Sequence, residues 1–169
     1  MAAPVDAAAA LLGFLPAADD RAVAAEVRQG LEKLAVRDGV ADPAVVAALT
    51  DVAAVRRAAA AVSLLRAPAL LPKLLAAAVV EADPDTRFQM LFGLATVARH
   101  KPAVAPLVEL LAKVSRGRQW QAEDFLLQLA GTAAPATPFG RYAAGDPARE
   151  AWLKWWKGAA DGKIGSAHD

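Results

Sequence analysis

The 169 residues include no cysteine, two histidines and one tyrosine, and aromatics make up only 6%. Absence of cysteine excludes disulfides, thiolate zinc sites, iron–sulfur clusters and cysteine nucleophiles. The two histidines, His100 and His168, lack a second histidine or a carboxylate at ligand spacing, so no metal site is expected. Ser63, Ser115 and Ser166 are the only serines, and none has a neighbouring histidine. This argues against Ser-His-Asp catalysis. P-loop, dinucleotide-binding, HExxH and GxSxG patterns are also missing, so no cofactor is expected. Charge of one sign is scarce: 19 basic against 18 acidic residues leave a net charge of +1. Bulk phosphate binding usually needs a basic stripe and a high pI. No apolar run reaches the roughly 18 residues of a membrane span. The opening Met1-Ala2-Ala3-Pro4-Val5-Asp6 has no basic signal-peptide region, so any export signal is expected outside this chain.

What the chain has is alanine and leucine. It is 56% hydrophobic and 22% charged, enough for a sizeable core. Both residues favour helix, and alanine lets helix backbones approach closely. No strict apolar/polar alternation marks a strand. The fold class expected is therefore all-α.

Asp19, Asp51 and Asp83 stand 32 residues apart, and one more step reaches Ser115. All four are favourable N-cap types. Each precedes a helical stretch, here called a B helix, predicted over 22–34, 52–66, 86–99 and 119–130. Shorter A helices are predicted over 6–15, 43–49, 70–80 and 103–114. Pro43 and Pro102 fit a first helical turn, whereas Pro72 and Pro106 should start or kink their helices. Gly39 and Gly131 suit chain reversals. Helix pairs at this period predict an α-solenoid of about four pairs, near 5–34, 43–66, 69–99 and 102–130. After Gly131 a loop is predicted over 131–146, then a capping helix over 147–157 and a flexible tail over 158–169. Together 1–157 are expected to form a single domain.

The period, the Asp caps and Arg56, Arg57 and Arg87 inside the B helices resemble HEAT repeats. Three further segments sharpen the likeness. They are Leu11-Leu12-Gly13-Phe14-Leu15-Pro16 with Ala18-Asp19-Asp20, Trp120-Gln121-Ala122-Glu123-Asp124 with 126–131, and Arg149-Glu150-Ala151-Trp152-Leu153-Lys154-Trp155-Trp156-Lys157 with the exit Gly162-Lys163-Ile164. These are similar to a HEAT segment of large planctomycete-type bacterial proteins. The resemblance implies a right-handed solenoid, bridges between repeats through Asp51, Asp83, Arg56 and Arg87, and no catalytic residues. It further implies a module of a larger protein, with the cell envelope or periplasm favoured. The second repeat, with its short A helix, and the lightly charged loop at 135–145 depart from the pattern.

Several groups could carry function. Trp152, Trp155 and Trp156 share a helix face. They read as a hydrophobic lid over the last repeat, or alternatively as a stacking platform. Trp120 holds the register of Phe88 and is expected in the inter-repeat core. Arg57, Gln89 and Gln121 follow the 32-residue step, and with Asp124 and Gln128 they form the candidate partner-binding strip. The bland alternative is a solvated helix face. Asp19/Asp20 and Glu123/Asp124 are adjacent pairs pointing about 100° apart, so they do not converge for acid/base work. An enzyme reading would need a deep polar pocket with converging Asp, Glu or Tyr142. Basic residues gather modestly at Arg99, Lys101, Lys113, Arg116 and Arg118. The function expected is therefore non-catalytic protein interaction or scaffolding, by a monomer that binds a protein or neighbouring domains of the same polypeptide. Nucleic-acid binding in a concave groove is the alternative.

Overall fold

Four aspartates set the first half of the chain, and the computed structural model shows how. It describes residues 6–137, Tyr142 and 145–160. Asp20 caps α2 (Arg21–Leu34), accepting from the N–H groups of Ala22 and Val23 at 2.6 and 3.2 Å. The cap is thus Asp20, one residue beyond the expected Asp19. Asp42 caps α3 (Pro43–Ala47) in the same way. Asp83 caps α6 (Pro84–Thr96) through the N–H of Thr86 at 2.7 Å. Asp51 works differently. Its Oδ1 accepts from Ala53 in the turn before α4 (Ala54–Ser63), whose own N-cap is Ala53. In each case a carboxylate satisfies N–H groups that a helix start leaves without partners.

The fold is mostly helical, as the composition requires. It divides into two compact units, one running to Arg99 and one beginning at His100. The first contains α1 (Ala7–Phe14), α2, α3, α4, α5 (Leu71–Val80) and α6. Within it α1 packs on α2 and α3, and α4 lies against both α2 and α6. Alanine explains the central place of α4. Ala58, Ala59, Ala60 and Ala61 are all buried, so this helix is covered on every side without bulky side chains. Gly93 of α6 brings α6 close to the end of α4: a Cβ there would lie 2.8 Å from Cδ1 of Leu65. Leu31, Leu64, Leu74, Phe88, Leu91 and Leu94 fill this core.

A short hairpin interrupts the helices, which the residue pattern above did not foresee. β1 (Val36–Arg37) pairs antiparallel with β2 (Val40–Ala41). Asp38 and Gly39 form the turn with φ of 51° and 78°. Two consecutive positive φ values are what a two-residue hairpin turn needs, and Asp-Gly is well suited to them.

The second unit contains α7 (Val104–Leu110), α8 (Arg116–Ala130) and α9 (Pro147–Ala160). α7 packs against α9. The last helix runs three residues past the expected end at 157. The tail from 161, including Gly162-Lys163-Ile164 and His168, lies outside the described residues, as do 138–141, 143 and 144 of the expected loop. Pro72 occupies the first turn of α5, and Pro106 is the third residue of α7. Both sit where the missing N–H would have had no helical partner.

Arg99 follows α6 with φ of 50°, a left-handed conformation that costs a side-chain-bearing residue about 1 kcal/mol. Arg99→Gly should therefore raise stability by up to about 1 kcal/mol, read from the urea midpoint at unchanged m-value.

Candidate functional site

Arg56 and Arg57 are neighbours on the first turn of α4, and the turn geometry sends them to different partners. Arg56 donates from Nε to the Leu12 carbonyl at 2.9 Å and from Nη2 to that of Gly13 at 3.3 Å. Its Nη1 meets Asp51 Oδ2 at 3.2 Å. This guanidinium joins the second helix pair to the C-terminal end of α1. Arg57 grips Glu81 with both ends of its fork, Nε to Oε2 at 2.6 Å and Nη2 to Oε1 at 2.8 Å. Its Nη1 donates to the carbonyls of Asp51 and Val52 at 2.8 and 3.0 Å. Glu81 Oε1 also accepts from the N–H of Asp83. The Arg57 hydrogen bond holds the Glu81 carboxyl below its ordinary range, against the opposing effect of burial. Asp51 and Asp83 are lowered too, first by the backbone N–H groups of Ala53 and Thr86 respectively.

An open groove of about 320 Å³ lies between α1, α3 and α4. Alanines and Gly13 form most of its wall, and its charged residues, Asp51 and Arg56, already bond to each other. It is shallow and small-walled, with no set of converging catalytic groups.

The second unit holds the two features that sequence reasoning placed wrongly or missed. Trp120, expected in the core, is 59% exposed. It does share the helical register of Phe88, because α6 and α8 begin 32 residues apart. Phe88 is buried because α6 is covered by both α4 and α5. The buried stripe of α8 is instead Ala122, Glu123, Leu126 and Ala130, which runs to one side of Trp120 and leaves its ring uncovered. A repeat period sets register and does not set how many neighbours cover a face.

The missed feature is a buried pair. Tyr142 donates from its hydroxyl to Glu123 Oε1 at 2.8 Å, and the two residues are 3% and 2% exposed. Burial, then the bond to Glu123, pushes the phenol well above its usual range. Both groups are sealed from solvent, so the pair ties the segment at Tyr142 to α8 and offers no surface for substrate. Tyr142→Phe should cost about 1–3 kcal/mol, seen as a lower urea midpoint, since a buried carboxylate loses a donor. The only sequence signal was the chain's single tyrosine, in a segment expected to be a loop. Asp124, next to Glu123, points to solvent, so the adjacent carboxylates diverge as helical geometry requires.

The five residues of the candidate strip separate into two groups. Arg57 and Gln89 belong to the first unit, where Arg57 is committed to the clamp above and Gln89 is half-buried. Gln121, Asp124 and Gln128 belong to the second and are exposed together on α8. Gln121 accepts from Arg118 at 3.2 Å, and Gln128 donates to Asp124 at 2.9 Å. Trp120, Arg116 and Lys113 are exposed around them.

On α9 the buried tryptophans are Trp152 and Trp155, at 2% and 8% exposure, while Trp156 is half-buried. Their rings meet edge to face, with centroids 5.5 Å apart and planes at 86°. Burial at this level leaves Trp152 and Trp155 no open stacking surface. Among the described residues no group of three potential ligands could hold a metal ion, and no helix is long and apolar enough to cross a membrane.

Compared with protein-family models, curated proteins and solved structures, the chain shows no significant match.

Proposed function

We propose that this chain is a non-catalytic protein-interaction module built of HEAT-type helix pairs, and that α8 presents its binding face. The observation that carries the proposal is Trp120, 59% exposed in a row with Gln121, Asp124 and Gln128. An exposed tryptophan ringed by polar side chains is the usual composition of an interface anchor. The helix pairing supports the architectural half. In the first unit α2, α4 and α6 touch in succession, and α1 touches α3. A right-handed solenoid of four pairs, closed by α9, is the arrangement this reading implies. Arg57 drops out of the contact surface because all its bonds are internal.

A photo-crosslinking side chain at Gln121, in cells making the protein from its own gene, tests the reading. Adducts should form there and fall several-fold with Trp120→Ala at unchanged melting temperature. Equal labelling at the exposed Glu32, or none at Gln121, would remove the reading.

One observation favours nucleic acid as a second reading. Trp120 supplies an exposed aromatic beside Arg116 and Lys113, the combination that single strands use for stacking and backbone contact. Asp124 in the same row opposes it. Filter binding to a single-stranded oligonucleotide should then be salt-dependent. No binding at tens of micromolar protein would dismiss this reading.

A further inference from the structure

We propose that the partner α8 takes is a second copy of this chain, its α8 packed antiparallel on the first about a two-fold axis. The proposal rests on the reading of α8 as an interaction face. Three observations on that helix, and on Lys113 in the turn just before it, carry the proposal, and each concerns shape or charge.

The first is a projection. Trp120 stands 59% exposed on the second turn of α8. The second is open room beside it. Gly117, three residues earlier and on the same side, is exposed, and a Cβ built there would meet nothing within 4 Å. Reversing one helix about a point between Gly117 and Trp120 sets each indole over the other copy's Gly117. A large side chain then lies over backbone that carries no side chain, which lets the two helices approach closely.

The third observation is the order of charge. Lys113 and Arg116 lie on the N-terminal side of Trp120, and Asp124 lies one turn beyond it. All three are exposed. The same two-fold reversal brings Asp124 of each copy to the Lys113–Arg116 end of the other. A parallel pairing would instead set like charge against like. This row discriminates among partners. A basic peptide would satisfy Asp124 and meet Arg116, and a polynucleotide would satisfy Arg116 and meet Asp124. A second copy satisfies both ends at once. Such an interface is isologous and closes at two copies. One helix face is small for a stable complex, so association should be weak and visible only at high protein concentration.

Sedimentation velocity on the whole chain, from roughly 10 to 500 µM, is the test. The unmodified protein should pass from one copy to two across this range. Asp124→Arg should weaken association at least tenfold, and so should Lys113→Asp with Arg116→Asp. Mixing those two variants should restore it, because both cross-contacts of the mixed pair then join opposite charges. A variant that merely misfolds cannot be rescued in this way, and circular dichroism melts check each one. Dimers indifferent to Asp124→Arg, or variants that stay apart when mixed, would overturn the proposal. A protein that remains monomeric throughout would overturn it too. If Gln121 still crosslinks to a different protein in that case, the interaction-module reading survives alone. If it crosslinks to nothing, both fall.

Discussion

Trp152→Ala should lower stability by about 3–5 kcal/mol, the range for removing a large aromatic side chain from a packed core. Trp152 is 2% exposed on α9, which packs against α7, and its ring meets Trp155 edge to face. Truncation therefore loses buried area and an aromatic pair, and leaves a void that neighbours fill only in part. Two controls isolate the cause. Trp156→Ala should cost much less, because Trp156 is half-buried. Trp155→Phe should also be milder, since its buried indole N–H finds no hydrogen-bond partner among the described residues and phenylalanine keeps an aromatic ring there. Urea titration at constant m-value reads all three. Equal losses for Trp152→Ala and Trp156→Ala would mean that burial does not govern this helix.

Much of the helical plan was readable from residues that act locally. Proline at a first turn and aspartate before a helix start do their work within a few positions, so Pro43, Asp83, Pro72 and Pro106 mark boundaries wherever the rest of the chain goes. Asp19 and Asp20 show the limit of that reading, since two capping residues in a row leave one residue of ambiguity. The hairpin at Asp38-Gly39 was legible in principle, but its strands have two residues each, too few to show alternation.

The candidate site was less legible because exposure and long-range bonds depend on what covers a face. Gln121, Asp124 and Gln128 could be placed on one side of α8 by spacing alone. The exposure of Trp120 could not, because its 32-residue counterpart Phe88 is buried by helices that no register argument counts. The internal bonds of Arg57 were hidden for a similar reason. Its partner, Glu81, is 24 positions away in the sequence, beyond any helical pairing rule. Tyr142 reaches Glu123 over 19 positions of sequence, which no pattern of spacing anticipates.

Arg57→Ala should be the other severe substitution, costing about 3–5 kcal/mol, because it strands a buried charge. The Glu81 side chain is 5% exposed and that of Arg57 21%. Removal leaves the carboxylate with the Asp83 N–H as its remaining described donor. It also frees the carbonyls of Asp51 and Val52 from their shared donor. Arg57→Met with Glu81→Leu should be far milder than either single change, since no ion is then left buried. The pH dependence provides an independent check, and its sign follows from linkage. Glu81 titrates below its ordinary value of 4.5 in the folded chain. Its contribution is therefore fully present above that value and is lost as pH falls through the folded-state value. In Arg57→Ala the carboxyl loses the bond that holds it down, and burial favours its protonated form. Acid then relieves the variant while it weakens the parent. The gap in stability between the two should be widest near pH 7 and shrink steadily towards pH 4. A gap that stays constant over that interval would show that Arg57 stabilises the fold through packing of its aliphatic stem and not through Glu81.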